Sequence, residues 1–69
     1  MSDLIALIYA SLANTYFSHT LWDKAIEYYK LALELLPDST EFYTDIAVCY
    51  LRKNLPDQAI VSLQKALKL

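Results

Sequence analysis

The chain contains no glycine and only two prolines, Pro37 and Pro56. Glycine adopts positive φ angles more easily than any other residue, so turns and helix ends here must be made by other residue types. Proline stops a preceding helix or occupies a first helical turn. We therefore expect Pro37 to stop one helix and Pro56 to lie in the first turn of another. So few helix breakers favour an all-helical chain.

The sequence also lacks a large excess of either charge, since six basic and eight acidic residues give a net charge of −2. The basic residues are scattered singly and form no stripe along which a phosphate backbone would bind, so we expect no nucleic-acid partner. Cys49 is the single cysteine, and no histidine pair offers metal-ligand spacing. We expect no internal disulfide, metal or cofactor, and a reducing, cytoplasmic setting.

The one long uncharged run is LIALIYASLA, residues 4–13. It is preceded by Asp3, where a secretion signal would carry Lys or Arg. Asn14, Thr15, Ser18 and His19 interrupt the run well before the roughly 20 apolar residues that a bilayer span requires. This run therefore predicts neither a signal peptide nor a membrane segment, but a surface that faces protein.

What the chain does contain is a high apolar content, 57% of its residues, which is too much for a disordered segment. Three residues are predicted N-caps, because each is followed three positions later by an acidic residue: Thr20, Asp38 and Asn54. Apolar residues recur at helical spacing between these points, and no segment alternates like a strand. We predict four helices, over residues 4–18, 22–36, 40–53 and 56–69.

The sequence repeats itself. Residues 22–35 superimpose on residues 56–69, with Ala25 on Ala59 and Ile26 on Ile60, at an offset of 59 − 25 = 34. The same offset places the first predicted helix on the third. The chain is thus two copies of a helical hairpin, and a 34-residue helix-turn-helix period is typical of one class of helical solenoid.

Each copy shows an aromatic residue, a large apolar and then a small residue, a Tyr, and later an Ala, a large apolar residue and a second Ala. The first copy supplies Tyr9, Leu12, Ala13, Tyr16, Ala25, Tyr29, Ala32 and a closing Pro37, and the second supplies Tyr43, Ile46, Ala47, Tyr50, Ala59, Leu63 and Ala66. Over residues 6–69 this resembles the tetratricopeptide repeat family. The resemblance implies an all-α solenoid of two repeats and four antiparallel helices. Residues 1–5 would extend the first helix, 6–39 form the first repeat and 40–69 the second, without a C-terminal capping helix. Thr20 and Asn54 depart from the pattern, because they stand where the family usually has glycine.

The resemblance also implies a concave groove, lined by the first helix of each repeat, that binds a peptide or helix of another protein. The groove positions are Leu7, Ala10, Ser11, Asn14, Phe17 and Ser18 in the first repeat, and Glu41, Thr44, Asp45, Val48, Leu51 and Arg52 in the second. Several are apolar, which favours a binding surface over two merely exposed helix sides. Some family members hold acidic chaperone tails with cationic side chains. Here Ala10 and Asp45 stand at two of those clamp positions, so we expect no such binding.

Two further apolar sets lie at the ends of the repeat array and have no neighbouring repeat within the chain. They are Leu4, Ile5 and Ile8 on the first helix, and Ile60, Leu63 and Leu67 on the last. Arrays of this kind usually need about three repeats for stability. The end faces therefore indicate association, whether the chain is a fragment of a longer array, pairs with itself or is capped by a different protein.

Little in the sequence points to catalysis. His19 lies near the predicted end of the first helix, where imidazole suits the helix dipole, and Cys49 is interpreted as a small buried hydrophobe. Tyr29 is expected inside and Tyr28 on the outer face. We predict a protein–protein interaction module and no enzyme. The alternatives are a purely structural, self-assembling repeat (a homo-oligomer), an excised or designed fragment, and a small secretion-type chaperone subunit.

Overall fold

The computed structural model describes residues 2–68. Within them the chain forms four α-helices and no strand: α1 Ser2–Ser18, α2 Trp22–Leu35, α3 Thr40–Arg52 and α4 Pro56–Leu67. The predicted all-helical class and the four helices are confirmed. The first helix begins two residues before its predicted start, and α4 ends at Leu67, whereas the predicted end at residue 69 lies outside the described residues.

The helices pack in chain order, α1 on α2, α2 on α3 and α3 on α4. The connections are only a few residues long, which makes neighbouring helices antiparallel. Two hairpins therefore lie side by side in a thin body whose Cα atoms extend 35 × 30 × 12 Å. The predicted division between residues 39 and 40 falls at the start of α3.

Small residues fill the contact between α1 and α2. The alanines Ala6, Ala13, Ala25 and Ala32 are fully buried. Methyl side chains let two helix backbones approach closely, so large side chains must pack beside this contact and not within it. The central one is Tyr29, which is 1% exposed.

Aromatic and aliphatic side chains join the two hairpins. The ring of Phe42 on α3 lies 6.2 Å from that of Tyr29 on α2, measured between centroids. Phe42, Ile26 and Leu33 belong to one buried cluster. The core is thus continuous across the boundary between the repeats.

The predicted N-caps are wrong, each by one residue. The N-caps are Leu21, Ser39 and Leu55, and not Thr20, Asp38 and Asn54. Only Ser39 caps through its side chain, whose Oγ accepts a hydrogen bond of 3.2 Å from the backbone N–H of Phe42.

Two of these three errors have the same cause. Thr20 and Asn54 terminate the preceding helix instead of starting the next one. Their φ angles are 60° and 62°, in the left-handed region, whereas an N-cap residue needs extended backbone. The N–H of Leu21 donates to the carbonyl of Tyr16 at 3.0 Å, and the N–H of Leu55 donates to that of Tyr50 at 2.9 Å. These are the hydrogen bonds of a Schellman C-cap, the motif in which a left-handed residue is usually glycine.

The two C-caps should differ in strain, because a β-branched residue tolerates positive φ poorly and asparagine tolerates it well. We predict that Thr20→Asn raises the free energy of unfolding by about 1 kcal/mol. The matched control is the reverse change, Asn54→Thr, which should lower it by a similar amount. Urea denaturation followed by circular dichroism measures both, and equal stabilities for all three chains would contradict the strain at Thr20.

Candidate functional site

The predicted groove positions fall into three classes of exposure. Leu7, Ser11, Asn14, Ser18, Glu41, Thr44, Leu51 and Arg52 are exposed, Phe17, Asp45 and Val48 are half-buried, and Ala10 is buried. Ala10 belongs to the core cluster and offers little surface to a ligand. Leu7 lies in a shallow depression with Leu4 and Ile8, so it continues the apolar surface at the start of α1.

Polar groups of three helices meet at the middle of the groove. The Tyr29 hydroxyl on α2 donates a hydrogen bond to Asn14 Oδ1 on α1. The charge of Asp45 on α3 acts on Tyr29, and together with burial, the larger cause, it raises the pKa of that phenol. We call Asn14, Tyr29 and Asp45 the groove centre. Sequence reasoning assigned Tyr29 to the interior alone and missed its hydrogen bond, which depends on how α1 and α2 are rotated against each other.

The electrostatics of the groove centre are set by two carboxylates. Burial raises the pKa of Asp45, and the neighbouring charge of Glu41 raises it further. Between residues 2 and 68 the ion pairs are Lys24–Glu27, at 3.4 Å, and Lys53–Asp23, and neither involves these carboxylates. Neither groove carboxylate therefore forms an ion pair with a side chain of the described chain.

Phe17 and Leu51 give the groove an apolar end. The Phe17 ring meets Trp22 edge to face, with 5.0 Å between centroids, which fixes the ring at the end of α1. Leu51 is 55% exposed on α3. Arg52, the next residue, is exposed and supplies the positive charge of this end.

Tyr28 corrects a prediction. It is half-buried, and its ring stacks on that of Tyr16 at 5.5 Å and 14° and lies 6.1 Å from that of Tyr9. It therefore packs between two rings of α1 and not on the outer face. The seven-residue spacing of Tyr9 and Tyr16, two helical turns, is the signal that indicates a site for a third ring.

A cleft of about 410 Å³ lies between α2 and α4, over α3. Sequence reasoning did not predict it. Its walls include Lys30 and Glu34 of α2, Tyr43 and Tyr50 of α3, and Ser62 and Lys65 of α4. At the 34-residue offset Ser62 replaces Tyr28, and this small residue was the available signal.

The predicted end faces are exposed. We call Leu4, Ile5 and Ile8 the N-terminal end face, and Ile60, Leu63 and Leu67 the C-terminal end face. All six side chains are exposed, from 39% for Leu63 to 86% for Leu67.

The surroundings of His19 and Cys49, the two side chains considered for catalysis, fit structural roles. His19 follows α1, and its Nδ1 lies 2.8 Å from the carbonyl oxygen of Thr15. Cys49 is fully buried. Residues 2–68 contain no group of three or more His, Cys, Asp or Glu side chains placed to hold a metal ion. No helix of the described chain has the length and apolar character needed to cross a membrane.

Two similar antiparallel hairpins, 34 residues apart in sequence and packed side by side, define an α-helical repeat protein. A family model for the tetratricopeptide repeat matches residues 10–69. The chain therefore belongs to the tetratricopeptide repeat family, and the predicted family is confirmed. None of the curated proteins matches it. The family generally serves protein–protein interaction and is typically non-enzymatic.

The burial of the Cys49 thiol leads to a testable prediction. Burial, with a smaller contribution from Asp45, raises the pKa of Cys49 to about 11. Because the thiolate is the reactive form, an increase in pKa from 9.0 to about 11 lowers the thiolate fraction at pH 8 by roughly a hundredfold. Ellman's reagent should therefore label the folded chain only as fast as the fold opens, and the urea-unfolded chain quickly.

The control is an exposed cysteine, Gln64→Cys in a Cys49→Ala background, which should react at once in the folded state. Rapid, stoichiometric labelling of native Cys49 would contradict the structural interpretation of this residue.

Proposed function

We propose that this chain is a protein–protein interaction module that binds a segment of a partner protein in the groove between α1 and α3, and that the segment carries a Lys or Arg side chain. One observation carries the proposal. Glu41 and Asp45 lie one turn apart on the same face of α3, and no cation of residues 2–68 pairs with either. The repeat division at 6–39 and 40–69 and the cytoplasmic setting stay predictions.

Asp45 supports a cationic ligand because its charge is costly in the free protein. Burial and Glu41 both disfavour the ionised carboxylate, as its raised pKa indicates. An ammonium or guanidinium group beside it would reverse both effects and add a charge-assisted hydrogen bond. The same reasoning disfavours an acidic chaperone tail, which would bring a third negative charge to this point.

Asn14 supplies a donor for the backbone of the bound segment. Its Oδ1 accepts from Tyr29, which orients the amide. An asparagine amide also has two N–H donors, and within residues 2–68 no group accepts a hydrogen bond from this one. An N–H donor in the middle of the groove is suited to a peptide carbonyl.

The charges along α3 give the groove a direction. Arg52 follows Asp45 by seven residues, which is about 10 Å along a helix. Val48 and Leu51 lie between them, and Phe17 lies at the end of the facing helix. The arrangement favours a segment with a cation, then apolar side chains, then an anion.

The proposal is tested with two capped, fluorescently labelled heptapeptides that carry Lys or Glu before a pair of leucines and end in Asp. Fluorescence anisotropy should show that the Lys peptide binds more tightly. Asp45→Asn should weaken its binding about tenfold or more, because a hydrogen bond to a charged group contributes roughly 1.5–3 kcal/mol. The matched control, Asp57→Asn on α4, should leave the affinity unchanged. Equal binding of the two peptides, or unchanged affinity in Asp45→Asn, would refute a cation site.

The same variant has a pH signature in the absence of peptide. The pKa of Asp45 is higher in the folded than in the unfolded chain, so the carboxylate lowers stability above its folded pKa and has no effect once it is protonated in both states. Asp45→Asn should therefore raise the melting temperature at pH 7. The gain should shrink as the pH falls toward about 3.9, the ordinary value for Asp. A variant less stable than the parent at pH 7 would show that the carboxylate has a structural partner.

We propose, as a second function, association through the end faces. The observation that favours it is the exposure of six large aliphatic side chains at opposite ends of so thin a body. Burying one such side chain fully gains roughly 1.5–3 kcal/mol, so even partial burial of several is a substantial driving force. The occupant we favour is a second copy of the chain, whose N-terminal end face would cover the C-terminal end face of the first.

Sedimentation equilibrium tests this second function. The parent chain should associate as its concentration rises, and Ile60→Glu with Leu67→Glu should remain monomeric. The control, Gln58→Glu with Lys65→Gln, makes the same change of −2 in charge on α4 outside the end face and should still associate. A parent chain that stays monomeric, or a double variant that assembles unchanged, would exclude this interface.

A further inference from the structure

The cleft between α2 and α4 lies on the side of α3 away from the groove. At 3.6 residues per turn, Tyr43 and Tyr50 on its floor point away from Glu41, which lies on the groove face. Its volume of about 410 Å³ falls within the roughly 300–1,000 Å³ that is typical of ligand pockets. Its walls come from three helices of the described chain, so the cleft is complete without any further repeat.

The first hairpin shows what this space accommodates. There the Tyr28 ring lies between Tyr9 and Tyr16, stacked on Tyr16 with 5.5 Å between centroids and 14° between planes. At the 34-residue offset, Tyr43 and Tyr50 correspond to these two flanking tyrosines, and Ser62 corresponds to Tyr28. The second hairpin thus keeps both flanking rings, and a serine replaces the ring between them.

The chemistry of the space favours an aromatic occupant. Offset-stacked aromatic pairs are stabilised beyond the effect of the area that they bury, and the rings of Tyr43 and Tyr50 both line this cleft. Lys30, Glu34 and Lys65 contribute polar groups to the walls, which suits a phenol or indole whose polar group remains near water.

A second copy of this chain has no suitable ring to offer. Every aromatic side chain of residues 2–68 is buried or half-buried in its own fold, and all nine aromatic residues of the sequence lie in that range. The residues described here therefore do not supply the ring, from this copy or from a second one.

We propose that this cleft, which we call the tyrosine socket, binds an aromatic side chain of a partner protein. The site is separate from the groove and does not depend on the function proposed for it. A partner can engage both, because the two sites occupy opposite faces of α3.

The test compares four chains: the parent, Ser62→Tyr, Ser62→Ala and Tyr28→Ser. The probes are p-cresol, the side-chain analogue of tyrosine, and two capped tripeptides, Ala-Tyr-Ala and Ala-Leu-Ala. Binding is followed through the NMR signals of the Tyr43 and Tyr50 rings. In the parent, p-cresol and the tyrosine peptide should produce saturable shifts, with the leucine peptide at least tenfold weaker.

The variants locate the site. Ser62→Tyr supplies the missing ring, so it should abolish the shifts and raise the melting temperature, whereas Ser62→Ala should bind like the parent. Tyr28→Ser should open a second socket, in which p-cresol also shifts the Tyr9 and Tyr16 signals. This last experiment tests the proposal even if the Ser62→Tyr chain does not fold.

Three outcomes would overturn the proposal. The first is the absence of shifts with both aromatic probes. The second is that shifts persist in a folded Ser62→Tyr chain, since the ring would then bind elsewhere. The third is binding of p-cresol without the tyrosine peptide, which would assign the socket to small planar molecules and not to a protein partner. Asp45→Asn should leave all these shifts unchanged, which separates this result from the test of the groove.

Discussion

The close approach of neighbouring helices over alanine side chains is the constraint on which the rest of this structure depends. Ala6 and Ala13 on α1 and Ala25 and Ala32 on α2 have no exposed surface and belong to one core cluster. Since methyl groups leave no room for rings between the backbones, the aromatic side chains are displaced to the edges of the contact. A thin body with aromatic residues along both sides is the result, and both candidate binding sites lie at those sides.

The tyrosines on the two sides of the alanine contact have different roles. On the groove side, Tyr29 reaches past the contact to Asn14 and lies close enough to Asp45 for the carboxylate to influence its pKa. On the other side, Tyr28 packs on Tyr16 in the first hairpin, and at the equivalent position of the second hairpin the buried Ser62 lines the cleft with Tyr43 and Tyr50. α3 presents Asp45 to one side and Tyr50 to the other, so the two candidate sites share this helix.

Most of the fold could be predicted because its signals are local and are repeated. The 34-residue offset, the two prolines and the buried alanines all indicate the same four helices. The N-caps were mispredicted because Thr and Asn suit two roles, helix start and left-handed turn, and only the φ angles of Thr20 and Asn54 distinguish them. The contacts of Tyr28 and Tyr29 were missed for another reason. They depend on the relative rotation of packed helices, which helical periodicity within one segment does not contain.

A comparison of the two hairpins distinguishes positions that serve packing from positions that could serve recognition. At the 34-residue offset the small residues buried in both hairpins agree, as Ala13 does with Ala47 and Ala25 with Ala59. The groove positions disagree, since Asn14 corresponds to Val48 and Ser11 to Asp45. If both hairpins served only to pack, the groove positions would need nothing more than solubility, and neither a half-buried carboxylate nor a half-buried valine is required for that. The alanine contact sets what the hairpins share, and the positions where they differ are those where a partner would distinguish one repeat from the other.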